Sequence, residues 1–503
     1  MRRPIVRGLL AGAPLLLLLA CQSPAAAPSA AVVPAALERQ HPVHVTAFGK
    51  SWLVSDASDL PRIAGLVDQP ASDAKVLLSE DGQLAVRQAR SGRALDIAAS
   101  TSRVQAAQGS EQGDDVALVL RTVEPLFTDA QMAPVRDKVQ RLLDNSVTLT
   151  FDDQKLPLTR ADIAPLLQIR GSSLGIDAQA ADGLARLLAA ELHRSAVNAR
   201  FDWNNGDLDI LRPSSIGRDL DITLTAQRLT SALIAESPTV ALPVREVQPA
   251  VSSTDPAALG ITELVERGST SFAGSVPEKK ANIALAAKKL NGVVVPPHGT
   301  FSFNDEVGPT TLEAGFEWGF AIEGGADGPK TVPSVAGGIC QVATTLFQPV
   351  FWAGYALEER YAHGYWIPGY ASRGVVGLDV TVDADAGLDF RWSNPTDDYV
   401  LIQSSVVGDE VRFALFGRKP SWTVSVAPVV VSNERSADPT PVREADAHLP
   451  SGRTLQVSAA RDGFDARVSR LVSPADGSAP RPLNVTTSYQ PSRTVTLVGT
   501  GGL

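Results

Sequence analysis

Two stretches in the first half of the chain repeat one order of polar and apolar positions. The first sets Asp81-Gly82 within an alternating run and follows it with Gly92-Arg93-Ala94-Leu95-Asp96-Ile97. The second sets Asn205-Gly206 likewise and follows it with Gly217-Arg218-Asp219-Leu220-Asp221-Ile222. The blocks are offset by 125 residues, Gly92 to Gly217. Asp-Gly and Asn-Gly between alternating residues predict hairpin turns. Each Leu-Asp-Ile segment then leads into a helix and an alternating strand that ends before Pro125 or Pro249, the second strand spanning 239–247. Upstream, 147–158 reads as a strand pair feeding a helix at 160–167, and 43–54 before 59–67 is its weaker counterpart. The pattern predicts two α+β modules, at 40–133 and 134–256.

From Ile261 onward the pattern changes. Lys279 to Leu290 is helical, and Asn291-Gly292 is a C-cap signal. A long apolar helix begins at Cys340 and is expected to run to Arg360; an alternating strand follows at 377–382. Trp422 to Val431 reads as one strand. After the Pro-rich join at 438–441 the turn signals Gly452, Asp462-Gly463 and Asp476-Gly477 punctuate an all-β reading. The expected class is therefore a multidomain α+β protein: two repeated modules, an α+β domain at 257–432 with a cysteine at a helix N-terminus, and a β module at 433–503.

Length and composition fit several folded domains: 503 residues, 44% hydrophobic and 20% charged. A net charge of −10 argues against nucleic-acid binding and leaves no basic membrane patch. The N-terminus changes the picture. Arg2, Arg3 and Arg7 precede an apolar run from Gly8 to Ala20 that is too short to span a bilayer. That run ends Leu18-Leu19-Ala20-Cys21, which resembles the bacterial lipobox and implies a signal peptide at 1–20 and acylation of Cys21. The Ala-, Pro- and Ser-rich stretch within 21–39 is then a tether. The expected location is the outer face of the cytoplasmic membrane, held there through the lipid on Cys21. With Cys21 acylated, Cys340 is the remaining thiol of two cysteines.

Around Cys340 lie Val293-Val294-Val295-Pro296-Pro297-His298-Gly299, Phe301-Ser302-Phe303-Asn304, Gly337-Gly338-Ile339-Cys340-Gln341, His363 and Gly377-Leu378-Asp379-Val380-Thr381-Val382. With Asn282 near the start of the first helix, this set resembles the VanW family over about 270–418. His298 within the proline-glycine turn and Ala343, where the family commonly has Ser, depart from the pattern. The two upstream modules resemble the peptidoglycan-binding-like domain that precedes VanW and some L,D-transpeptidase domains, which implies wall binding; the alternative is a spacer that lifts the C-terminal domain off the membrane. Ser488-Tyr489-Gln490-Pro491 and Val498-Gly499-Thr500 make the tail similar to a G5-type module, the other reading being a closing β layer of the Cys340 domain. The implied partner is peptidoglycan or its stem peptides.

The chemistry around Cys340 is read from the residues. Two glycines before it allow backbone to approach a ligand closely. A helix N-terminus favours thiolate and offers amides to an oxyanion. His363 lies 23 residues on and Asp379 a further 16, both expected on neighbouring strands. That order is shared with papain-like and transglutaminase-like thiol enzymes, an analogy at the level of fold. In this scheme Cys340 is the nucleophile, His363 the base, Asp379 its orienting group and Gln341 an added oxyanion donor. Gly337, Gly338, Asn304, Thr344, Tyr365 and Trp366 are the expected substrate-binding residues. No cofactor is expected, and Cys340, His363 and His298 lack paired zinc-ligand spacing. The function stays open between a thiol hydrolase or transpeptidase on wall peptides, a non-enzymatic wall-binding scaffold in which Cys340 shapes a pocket, and an accessory factor in glycopeptide resistance.

Overall fold

The computed structural model describes residues 41–110, 115–145, 147–323 and 329–501. The leader, Cys21 and the tether lie outside them. No helix among the described residues is long and apolar enough to cross a membrane. The fold is mixed α+β. The chain forms two compact units: one runs to Asp144 and takes in Leu167–Gly175, the other is Asn145–Leu166 with Ile176 onward. The module boundary expected at 133 falls inside helix Asp129–Asp144, which carries Pro134 within it.

The repeated blocks make the same pairings. Strand Val43–Ala47 pairs antiparallel with Lys50–Val54 and parallel with Val116–Ala117. Strand Thr148–Phe151 does the same with Gln154–Pro157 and Thr239–Ala241. Bridges Gln69–Arg93 and Ser72–Arg90 recur as Arg194–Arg218 and Val197–Ser215, each 125 residues on. The Gly-Arg-x-Leu-Asp-Ile block has a physical reason at three positions. An added Cβ at Gly92 would sit 2.3 Å from Gln69 O, and one at Gly217 would sit 2.4 Å from Ala196 N. Arg93 and Arg218 donate to Val67 O and Leu192 O. Asp96 and Asp221 cap the following helices by accepting from Ala99 and Leu224 amides. The strand expected over 239–247 is two strands, Thr239–Ala241 and Val244–Val247, which pair with different partners. Pro243 between them has no N–H for a continuous ladder.

The second unit is built around helix Ile339–Ala353. It is buried from Gln341 through Phe351, largely apolar as a central helix must be, with Gln341, Thr344, Thr345 and Gln348 as its buried polar residues. It packs on the four-stranded sheet whose order is Glu263–Ser271, Glu410–Gly417, Val400–Val407 and Val293–Val295. Phe347, Phe351, Phe390 and Trp392 are buried in the same cluster, each contributing about 1.5–3 kcal/mol by leaving water. The helix ends well before Arg360. Gly354 turns it off at φ 84, and Ala356–Glu359 is a strand paired with Arg391–Ser393.

The tail is bound into this unit. The single strand expected over 422–431 is two, Trp422–Val426 and Val430–Arg435, and both pair with Gly463–Pro474. The domain boundary expected at 432 therefore cuts through one sheet. Val468 and Val485 enter the buried cluster that surrounds the Cys340 helix. Arg470 donates to Phe351 O at 2.8 Å and Tyr355 O at 2.7 Å, and Trp422 Nε1 donates to Ala353 O at 2.8 Å. These donors satisfy carbonyls at the C-terminal end of that helix, where a cation also complements the helix dipole.

Candidate functional site

Cys340 is the second residue of helix Ile339–Ala353. Gly337 and Gly338 place it there by close chain packing. An added Cβ at Gly337 would lie 2.2 Å from Phe320 N; Gly338 holds φ 115, and its Cβ would meet Lys279 Cγ at 2.9 Å. Both glycines line the cavity, and their small size permits this chain-to-chain contact. Asn282 fixes the same turn: its amide donates to Glu317 O and Gly337 O and accepts from Glu317 N–H.

The Cys340 sulfur lies 3.4 Å from Thr381 Oγ1 and accepts the Val382 N–H at 3.5 Å. His363 lines the same cavity beside the sulfur, near enough for imidazole and thiol to shift each other's titration. The ring's Nδ1 pairs with Asp379 Oδ2 at 2.6 Å, and the His363 backbone N–H donates to the same oxygen at 2.9 Å. Nδ1 being occupied, Nε2 is the nitrogen left for the thiol. The other Asp379 oxygen accepts from Tyr489 OH at 2.5 Å and Arg360 at 3.2 Å. His363 and Asp379 are 5% and 3% exposed, so this carboxylate and imidazole work away from bulk water. Neither sits in a strand; both lie in loops stapled by a bridge between Tyr361 and Thr381.

Electrostatics follow from this packing. Burial pushes the Cys340 thiol up, but the hydrogen bond and charge of His363, with Thr381 and the Val382 amide, outweigh it and leave the thiol below its ordinary value. Burial opposes a charged His363, yet Asp379 and Cys340 together raise it to about 9. Burial alone would raise Asp379; His363, Arg360 and Tyr489 hold it at about 2. Tyr489 is raised by burial and by Asp379, so it remains a phenol that donates. The set favours a thiolate–imidazolium pair backed by a carboxylate.

A cavity of about 840 Å3 opens over the sulfur. Cys340, His363, Tyr365 and Trp366 line it, as do Trp318 and Phe320 from the hairpin Trp318–Glu323 and Lys330–Val335. Tyr365 OH bonds Thr331 Oγ1 at 2.7 Å, and Trp366 stacks edge-on with Phe464. Trp392 is wholly buried instead.

Three expected site residues are elsewhere. Gln341 is 1% exposed and spends its amide on Thr270 Oγ1 and Ser271 O, so it holds a sheet strand and is no oxyanion donor. Thr344 is fully buried; its hydroxyl donates to Val380 O and accepts from Val380 N–H, which pins the strand-like run beside Asp379. Asn304 donates to Leu388 O, and Ser302 caps the short helix Phe303–Val307 while donating to Asp389, so Phe-Ser-Phe-Asn is structural and does not line the cavity. His298 pairs with Asp397 on an exposed turn, apart from the cavity. Sequence reading passed over Arg360, Lys279 and Tyr489. Tyr489 stood in the Ser-Tyr-x-Pro block used only to classify the tail, and an isolated Arg just before His363 was the available signal for Arg360.

The family model described as VanW like protein matches residues 278–416. The uncharacterized protein YoaR of Bacillus subtilis is 30% identical over 230 residues, 46% of this chain and 71% of that protein. The vancomycin B-type resistance protein VanW of Enterococcus faecalis is 29% identical over 142 residues, 28% of this chain; the chain spans 50% of that relative's length. Among solved structures, a mutant Enterococcus faecium L,D-transpeptidase aligns with a TM-score of 0.18 at 11% identity, covering 40% of this chain and 75% of that one. The structure of HP0197-G5 aligns with a TM-score of 0.08 at 21% identity, covering 16% and 97%. Scores this low carry no argument about fold or chemistry.

Proposed function

The chain belongs to the VanW family, and from that premise we propose that it is a cell-envelope protein whose Cys340 site performs thiol-dependent acyl transfer on peptidoglycan stem peptides. The observation that carries this reading is that Cys340 and His363 line one cavity large enough for a peptide, with His363 Nδ1 held by Asp379 at 2.6 Å. One relative bears the name of a vancomycin resistance protein, which points to the wall as the place of action.

The chemistry needs no added reactant beyond water or an amine. The Cys340 thiolate attacks the carbonyl carbon of a peptide bond, and first-turn amides of its helix face the developing oxyanion. The C–N bond breaks, its electron pair stays on nitrogen, and His363 supplies the proton. The acyl group remains as a thioester. Water or an amine then attacks the thioester while giving its proton to His363, and the C–S bond breaks to restore the thiolate. Asp379 and Tyr489 touch no substrate; they position the imidazole.

The paired modules would hold wall polymer, two linked weak sites gaining from effective concentration. Lipid on Cys21 would keep the protein at the outer face of the membrane; radiolabelled palmitate incorporated by the native chain but equally by Cys21→Ser would refute that anchor. For the site, protein and Cys340→Ala are incubated with purified sacculi and muropeptides and the products weighed. New cleavage or exchange products that vanish in Cys340→Ala support the thiol reading. No products from either, with both still pelleting with sacculi, would make this a binding protein.

A further inference from the structure

Lys279 lines the cavity from the first turn of helix Pro277–Leu290, its stem packed against Gly338 beside Cys340. Its neighbour Lys280 pairs with Asp409 at 2.7 Å, whereas Lys279 meets no carboxylate among the described residues. Asp383 and Asp385 share the cavity but are exposed, and Asp383 accepts the Ala386 N–H. Arg461, also exposed, lies over the Trp366 ring at 5.9 Å. Burial lowers the Lys279 pKa while the charge on Cys340 opposes that, so ammonium and sulfur act on each other across the site. An ammonium half-enclosed with no carboxylate beside it gains when a ligand brings one.

Resting on the thiol reading above, we propose that Lys279 binds a carboxylate of the acyl donor, next to the carbonyl that Cys340 attacks. The substrate class is a peptide whose residue at the reacting bond carries a free carboxylate, a C-terminal residue being the simplest case. Lys279 sets specificity and leaves the relay to His363.

Two alkylating agents of the same shape test this without knowing the substrate. Iodoacetate and iodoacetamide each form an S–C bond at Cys340 and release iodide, but only the first carries a carboxylate. Rates are read from the Cys340 peptide by mass spectrometry in the full chain at neutral pH. The ratio of iodoacetate to iodoacetamide rates is expected to exceed that of free cysteine by about tenfold, a modest electrostatic steering effect. It should fall about fivefold in Lys279→Gln and persist in Lys279→Arg, with the iodoacetamide rate within about twofold throughout. A ratio unchanged in Lys279→Gln, or a parallel loss of both rates there, overturns the proposal. The parent reading fails separately: iodoacetamide would then react at Cys340 no faster than at free cysteine, while the ratio would still report on Lys279.

Discussion

Four donors converge on the Asp379 carboxylate: both His363 nitrogens at Nδ1 and the backbone, the Tyr489 hydroxyl and the Arg360 guanidinium. Hydrogen bonds to a buried charge are worth more than neutral ones, so Tyr489→Phe should cost about 1.5–3 kcal/mol of stability. It should also slow Cys340 alkylation near neutral pH while its high-pH rate stays, because the imidazolium is less well held. An unchanged melt and pH profile would place Tyr489 outside the relay. The pH dependence has a definite sign. Asp379 sits at about 2 against 3.8, so its contribution is complete above about pH 4 and lost as pH falls through 2, on the order of 2 kcal/mol. His363, at about 9 against 6.5, contributes fully below 6.5 and loses that contribution as pH rises through 9. The lowered Cys340 thiol has the opposite slope and offsets part of that loss. The stability gap between the native chain and Asp379→Asn should therefore shrink in acid, measured by denaturant melts from pH 5 to 2; a constant gap would contradict this origin. The Cys, His and Asp of this relay were legible because their order is unusual. Gln341, next to Cys340, and Thr344, one helical turn on, misled because a polar side chain there is as readily a strand clamp, and only the fold shows where its hydrogen bonds go.

At the scale of elements, both ends of the Cys340 helix are set by groups distant in sequence. Gly338 at φ 115, beside Lys279 and Ile283, sets the N-terminal end. Gly338→Ala should cost about 1–3 kcal/mol from backbone strain and displace the thiol, read as a lower melting temperature and slower alkylation together. A variant as stable and reactive as the native chain would show that the turn tolerates a side chain. Arg470 and Trp422 occupy the other end. Hairpin turns, the Gly-Arg-x-Leu-Asp-Ile blocks and helix Pro277–Leu290 were readable from local pattern. The helix end was not, because Gly354 stands in an apolar run whose continuation, Ala356–Glu359, has no helix-breaking composition and becomes strand only by pairing with Arg391–Ser393. The strand at 422–431 failed for a similar reason, since two short strands take separate stretches of the long Gly463–Pro474 partner.

Across the whole molecule, the tail completes the domain that the family match leaves at 416. It supplies Tyr489 to Asp379, Arg470 to the central helix, and Val468 and Val485 to its core. A chain ended at Arg418 should lose cooperative melting of the Cys340 half, since those apolar side chains alone remove about 1.5–3 kcal/mol each. A truncated chain with native melting and native Cys340 reactivity would show the tail to be an independent module. No local signal could reveal this dependence, because the hydrogen bonds of Tyr489 and Arg470 join residues more than a hundred positions apart, as that of Arg360 and Thr487 does at 3.0 Å. The central claim is that Cys340 takes up an acyl group from wall peptides. Its most direct measurement is the mass of the Cys340 peptide after brief exposure of the native chain to muropeptides and acid quench. The account predicts a mass gain equal to the acyl fragment, absent in His363→Asn. An unmodified Cys340 under conditions in which the protein releases wall fragments would contradict it.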